Sequence, residues 1–280
     1  MESQEFQFNI NHTVLQGYYW KAASAKAAIV LVHGMGEHAM RYADSVIPAF
    51  LKHDISVISY DQFGHGNTQG KKGHNPGYEA VLDCVQIVSE KALAIFGDVP
   101  LFLYGHSMGG NVVINYVLRR KHPFKGVIAT SPFLRLAFQP PSWKLAIGKI
   151  LQKIAPSLTM GNELDVNAIS RDAAEVQKYT DDPLVHDKIS PNYSLTFMKT
   201  GEWAIENASQ LSIPMLVLHG TGDQIISYKA SKTFVKNTNG MATLHLFDGG
   251  YHELHHDLCK QEMMAMVVNW VESNLTQHAL

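Results

Sequence analysis

The sequence predicts an α/β protein: a mostly parallel central sheet with helices on both faces, interrupted by one inserted, mainly helical segment. Three observations predict it. Several short runs are apolar at every position, as in Ala27-Ala28-Ile29-Val30-Leu31-Val32, the pattern of a strand buried on both faces. These runs alternate with segments whose apolar residues recur at helical spacing, which sets parallel strands beside crossover helices. The alternation stops at Ser131-Pro132 and resumes only at Ile213, so one sheet is expected to carry an insertion. With 280 residues, 46% of them hydrophobic and 17% charged, the chain is long enough for one such domain around a buried core.

Taken in order, residues 5–20 alternate as an antiparallel pair, Phe6/Phe8/Ile10 and Val14 to Trp20, turning at Asn11-His12. The run ending at Val32 leads into His33-Gly34-Met35-Gly36-Glu37-His38, a helix is expected over about 40–53, and Ile55 to Tyr60 reads as the next strand. A glycine-punctuated loop spans Asp61 to Gly77, after which Val81, Val85, Val88, Ala92 and Ile95 mark a helix over 78–96. The run from Pro100 to Tyr104 enters Gly105-His106-Ser107-Met108-Gly109-Gly110, then an apolar helix, then a buried strand from Phe124 to Ala129. After the gap come a strand from Ile213 to Leu218, a helix at about 228–237, a strand from Leu244 to Phe247 and a helix at about 257–274. The expected division is a core of 1–131 and 212–280 with a cap at 132–211, seated over the carboxyl ends of the strands.

Composition narrows the function. A net charge of −2 and the absence of a long basic run give no reason to invoke nucleic acid. Two cysteines, Cys84 and Cys259, both in helical-looking stretches, argue against a disulfide framework and for a reducing compartment. The acidic start, Met1-Glu2-Ser3-Gln4-Glu5, has no apolar signal region, and no stretch reaches 18 apolar residues. A cytoplasmic location is the expectation.

The chemistry centres on Ser107. A strand that breaks at a glycine and turns at once into a helix lifts one side chain onto a sharp corner. Gly105 and Gly109 have no Cβ to clash across it, and Ser107 occupies it. A nucleophilic serine there calls for an acid and then a histidine further along the chain. Asp223 follows the strand ending at Leu218, in His219-Gly220-Thr221-Gly222-Asp223. His252 follows the strand ending at Phe247, in Asp248-Gly249-Gly250-Tyr251-His252. Both leave the sheet at its carboxyl edge, where ligand sites of open α/β sheets lie. In that arrangement His252 takes the Ser107 proton and later protonates the leaving alcohol, while Asp223 holds the imidazole tautomer and stabilises its cation. The backbone N–H groups of Met108, at a helix start, and Met35, after the first buried strand, are the expected oxyanion donors. Asp61 and Asp248 are rival acids, and His255 and His256 rival bases. The plainer readings are a helix-capping serine and a turn-forming aspartate.

These motifs, with Arg41-Tyr42, the Asp61-to-Gly70 loop and Ser170-Arg171-Asp172 and Asp181-Asp182-Pro183-Leu184, resemble the monoacylglycerol lipase and lysophospholipase-like branch of the α/β-hydrolases. The resemblance implies a serine hydrolase that needs no metal or organic cofactor and acts on a single-acyl-chain ester, commonly a monoacylglycerol. It also implies that Glu37, Arg41 and His255 lie near the polar head group or leaving alcohol. Met35 stands where the family carries a small residue, which narrows the acyl pocket.

Alternatives remain at this level. A broad carboxylesterase or a lysophospholipase would use the same groups, and a binding-only relative of the fold would lack triad members. An epoxide hydrolase or dehalogenase would carry Asp in place of Ser107. His252-Glu253-Leu254-His255-His256 matches H-E-x-x-H, so a zinc site through His252, Glu253 and His256 is a further alternative, although the first histidine follows a loop. Finally, Trp143, Ile147, Ile150, Leu151, Ile154 and Leu158 form one stripe of an amphipathic segment, 143–158, with Lys149 and Lys153 opposite. Such a stripe is expected to pack on the body of the protein. The other reading is a mobile lid that lines an acyl tunnel and gives peripheral contact with a membrane or micelle, which Leu145, off the stripe, favours.

Overall fold

The fold follows from runs of residues that can be buried on two sides at once. The structure is a computed structural model describing residues 2–276; Met1 of the acidic start lies outside the described residues. Its strands and helices are, in chain order, β1 (Gln4–Ile10), β2 (Thr13–Trp20), β3 (Ala27–Val32), α1 (Val46–Leu51), β4 (Ile55–Tyr60), α2 (Tyr78–Phe96), β5 (Leu101–His106), α3 (Met108–Arg119) and β6 (Phe124–Thr130). There follow α4 (Ser142–Ile154), a short pair β7 (Met160–Gly161) and β8 (Lys188–Ile189) around α5 (Ala173–Asp181), and α6 (Pro191–Glu206). The chain closes with β9 (Met215–Gly220), α7 (Tyr228–Asn237), β10 (Ala242–Phe247) and α8 (Lys260–Thr276).

Eight strands form one sheet in the order β1-β2-β4-β3-β5-β6-β9-β10, with β2 alone running against its neighbours. Alternate residues of each central strand enter opposite cores. Ala28, Val30 and Val32 of β3 pack with α2, α3 and α7, whereas Ala27, Ile29 and Leu31 pack with α1 and α8. The period of two is the strand's own geometry, and burial of both faces explains why polar residues are scarce in these runs.

Differences from the sequence expectations are local. The helix expected over 40–53 is a 3-10 turn, Ala39–Tyr42, followed by α1. Pro48, which has no N–H for an interior helical bond, sits in the first turn of α1, where none is needed. The strand expected from Ile213 begins at Met215, after Pro214. Cys259 lies in the turn before α8 rather than in a helix, and both cysteines are free.

The amphipathic segment is the main reversal. Most of the stripe expected to pack inward faces outward: Trp143, Ile147, Ile150, Ile154 and Leu158 are exposed, Ile154 at 73%, while Leu151 is half-buried. The inner side of α4 is the line through Leu145, Gly148 and Gln152. Gly148 sits against Leu195 of α6, and the Gln152 amide donates to the Thr196 hydroxyl at 3.2 Å. Leu145 was off the stripe because it lies on the face that does pack.

The chain between β6 and β9 leaves the sheet and touches the loops at its carboxyl edge. The His186 amide donates to Gly36 O at 2.9 Å, the Tyr193 hydroxyl to Phe63 O at 2.8 Å, and the Glu253 amide to Ile169 O at 2.8 Å. Those three loops follow β3, β4 and β10 respectively.

Candidate active site

Ser107 sits at the turn between β5 and α3 with φ 52° and ψ −113°, a conformation that costs a non-glycine residue about 1–3 kcal/mol. Close packing holds it there. A Cβ at Gly105 would stand 2.3 Å from Gly109 O, and one at Gly109 would stand 2.0 Å from Val32 O. Any side chain at either position would force β3, β5 and α3 apart. The result is a serine hydroxyl presented at the sheet edge on a residue only 7% exposed.

The structure brings the three predicted residues into one hydrogen-bonded line. His252 Nε2 lies 2.9 Å from Ser107 Oγ, and His252 Nδ1 lies 2.7 Å from Asp223 Oδ2. Asp223 Oδ1 accepts from the amides of Ile225 and Ile226, at 2.8 and 3.0 Å. Because its partner is a carboxylate, Nδ1 carries the proton, leaving Nε2 free to accept one from Ser107. Burial works against the charge on Asp223, but the His252 and His219 rings beside it hold the carboxyl far below the usual range. Burial likewise pulls His252 down, yet the charge and hydrogen bond of Asp223 outweigh it and leave His252 above the ordinary histidine value. The rival acids lie elsewhere. Asp61 is tied to the amides of Ala39 and Asn67 and to Tyr18, and Asp248 accepts from Thr221 at the surface.

Both expected oxyanion donors border the serine. Met108 opens α3, so its amide has no partner within the helix. On the other side, the turn after β3 passes so close that a Cβ at Gly34 would meet Ser107 Cβ at 3.3 Å. The Gly34 amide is engaged by Glu37 Oε1 at 2.5 Å, which makes Met35 the next amide along the turn.

Glu37, Arg41 and His255 gather beside His252, where the carboxylate of Glu37 and the guanidinium of Arg41 are paired within the protein. Glu37 Oε1 also accepts from the Tyr42 hydroxyl at 2.7 Å, and Oε2 from Arg41 Nη1 at 2.9 Å. Arg41 grips Glu253 with both Nη atoms, at 2.8 and 2.9 Å, and the Tyr179 ring of α5 covers it at 4.6 Å. His255 is fully buried, stacked on Tyr42 at 4.8 Å and against His106 at 4.7 Å, with neither ring nitrogen hydrogen-bonded. With one guanidinium between two buried carboxylates, burial and the charge on Glu253 push Glu37 up. Burial would raise Glu253 too, but Arg41 holds it well down. A groove of about 550 Å³ opens behind this network, lined by Arg41, His256, Asp182 and Lys260, and none of Ser107, His252 and Asp223 lines it.

The zinc alternative fails on the same geometry. Both nitrogens of His252 are engaged, and Leu254–His256 is a single 3-10 turn rather than a helix. Glu253, His255 and His256 do place ligand atoms within 4.8 Å of one another, but the Arg41 guanidinium already occupies the cation's place on Glu253.

Sequence reasoning missed three residues. Ser131, itself at φ 42°, donates from its hydroxyl to His252 O at 2.7 Å and fixes the loop that carries His252. Tyr179 roofs Arg41. His219 contacts Asp223 directly, and only its polar ring in an otherwise apolar strand end hinted at it.

The site also predicts a pH-dependent stability. Burial holds His33 near 3 and keeps His65, His106 and His255 well below the ordinary histidine value. A histidine that stays neutral when folded but takes a proton when unfolded stabilises the fold fully above about 6.5, and that contribution fades as pH falls below it. The four together are expected to lower the stability of the fold as pH falls from 7.5 to 5.5, partly offset by His252, whose sign is opposite. Urea unfolding at the two pH values checks this, and a midpoint unchanged at pH 5.5 would contradict it.

Comparison with known proteins agrees with the fold. The family model described as serine aminopeptidase, S33, matches residues 23–259. An uncharacterized abhydrolase domain-containing protein of Dictyostelium discoideum is 36% identical over 253 residues, which is 89% of this chain but only 26% of that much longer protein. A monoglyceride lipase homolog of monkeypox virus is 30% identical over 96% of this chain and 98% of its own length. The crystal structure of a monoacylglycerol lipase from Paleococcus ferrophilus superposes with a TM-score of 0.86 at 33% identity, covering 93% of this chain and 99% of that one. The chain belongs to the serine aminopeptidase S33 family of α/β-hydrolases, among relatives that include the monoglyceride lipases.

Proposed function

We propose that this protein is a serine ester hydrolase that cleaves single-acyl-chain lipid esters such as monoacylglycerols through an acyl-enzyme on Ser107. The observation that carries the reading is the hydrogen-bonded line Ser107 Oγ–His252 Nε2 and His252 Nδ1–Asp223 Oδ2 on a strained turn. Ser107 Oγ attacks the ester carbonyl carbon as His252 Nε2 takes its proton. The amides of Met35 and Met108 receive the negative charge on the carbonyl oxygen. The tetrahedral species collapses, the bond to the alcohol oxygen breaks, and His252 gives that oxygen the proton. Water, deprotonated by the same imidazole, then releases the fatty acid and restores Ser107. In this reading Glu37 and Arg41 act at one remove from substrate: Glu37 braces the Gly34 turn that carries the Met35 amide, and Arg41 ties it to Glu253 beside His252.

The lipid-like substrate rests on the likeness to the monoglyceride lipases and on α4. Segment 132–211 serves as the cap, with α4 as its contact with a membrane or micelle. Four large apolar side chains, Trp143, Ile147, Ile150 and Ile154, stand exposed on α4 with Leu158 just beyond its end, and Lys144, Lys149 and Lys153 are the charged residues of that helix. Burying one such side chain is worth about 1.5–3 kcal/mol, so a patch of five left in water marks an interaction surface.

Hydrolysis of glycerol monoesters from acetyl to palmitoyl tests the reading. kcat/KM is expected to rise with chain length. Ile147→Ser with Ile150→Ser is expected to lower hydrolysis of vesicle-borne ester about tenfold or more while sparing a soluble short ester. A preference for acetyl esters would make the protein a broad carboxylesterase instead.

A further inference from the structure

A carboxylate has room for about four hydrogen bonds, and all four places on Asp223 are filled. Oδ1 takes the amides of Ile225 and Ile226. Oδ2 takes His252 Nδ1 at 2.7 Å and, at 3.0 Å, Nε2 of His219. His219 is fully buried, the next-to-last residue of β9, and it belongs to no step of the reaction above. Its tautomer is fixed by its surroundings. Nε2 faces two acceptors, Asp223 Oδ2 and, at 3.2 Å, Ile226 O, so it holds the proton. Nδ1 lies 2.9 Å from the hydroxyl of Ser231, buried on α7, which donates to it. A chain of two hydrogen bonds thus runs from α7 through the end of β9 to the oxygen that orients His252.

We propose that His219, held by Ser231, is a positioning residue for ester hydrolysis: by sharing Asp223 Oδ2 with His252 it fixes the carboxylate and tempers its pull on the imidazole. The inference rests on the Ser107–His252–Asp223 reading. A donor on Oδ2 draws electron density from the oxygen that faces the histidine. Without that donor the carboxylate holds the imidazolium more tightly, so His252 stays protonated, and unable to act as a base, to a higher pH. A His219 that merely filled space at the strand end would have no such effect.

Two substitutions separate these roles. Gln places an amide N–H near the position of His Nε2, and Met keeps comparable volume without a donor. On a soluble ester, His219→Met is expected to lower kcat roughly 10- to 100-fold with KM within about twofold. The acidic limb of its kcat/KM profile is expected to move to higher pH. His219→Gln is expected to restore the limb and most of kcat, and Ser231→Ala to move the limb the same way but less. An unmoved or lowered limb in folded His219→Met, or equal losses with Met and Gln, would overturn the proposal. If the Met variant does not fold, an unmoved limb in Ser231→Ala overturns it. A Ser107→Ala control separates the two levels. If that variant turns over, the nucleophile reading fails. If it is inert while His219→Met behaves like the unsubstituted protein, only the role of His219 fails.

Discussion

Ser107→Ala is expected to abolish acyl-enzyme formation and lower kcat by a factor on the order of 10⁴ to 10⁶, with the melting temperature nearly unchanged. The loss is large because no neighbouring group can replace the attacking oxygen. His106 adjoins Ser107 in the chain, but its Nδ1 is engaged by the Thr130 hydroxyl at 3.0 Å, and burial keeps the ring neutral. Stability should survive because the strain at φ 52° comes from the Cβ, which alanine keeps, and from the packing of Gly105 and Gly109, which the substitution leaves alone. Rates with a soluble ester and a thermal melt of the same sample decide it. Residual turnover within tenfold of the unsubstituted protein would move the nucleophile elsewhere.

Asp223→Asn is expected to cost about 10⁴ in kcat, through the histidine rather than through any contact with substrate. An amide N–H in place of Oδ2 would oppose both His252 Nδ1–H and His219 Nε2–H, forcing the His252 ring toward the tautomer whose Nε2 carries the proton and cannot accept another. The pH profile carries the sign. Asp223 is what lifts His252 above the ordinary histidine value against the pull of burial, so without its charge the acidic limb of kcat/KM moves to lower pH. That is opposite to the direction expected of His219→Met. A fall in kcat with the limb unmoved would mean that Asp223 holds structure but not the imidazole's charge.

The fold and the central line of the site were legible because they depend on local rules. Residues buried on both faces must be apolar throughout, and a serine on a strand-to-helix corner needs glycine at Gly105 and Gly109. Candidates for an acid and a base leaving the same sheet edge are found at strand ends, where Asp223 and His252 stand. What stayed hidden depends on distant partners. Nothing in the sequence pairs Arg41 with Glu253, 212 residues further along, which takes its guanidinium in the structure. His219 read as a loop residue after the strand ending at Leu218, because its contact with Ser231 of α7 and with Asp223 shows only once the chain is folded. The α4 stripe was misassigned because helical periodicity identifies an apolar face without saying whether protein or lipid covers it.

The central claim is that one serine, Ser107, becomes acylated. Intact-protein mass measurement after treatment with a fluorophosphonate ester tests it most directly, followed by peptide mapping and an ester-hydrolysis assay on the labelled sample. The account predicts one adduct per chain, on the peptide containing Ser107, formed more slowly in the presence of a monoacylglycerol and accompanied by loss of hydrolysis. No adduct, an adduct on another residue, or hydrolysis that survives complete labelling of Ser107 would contradict it.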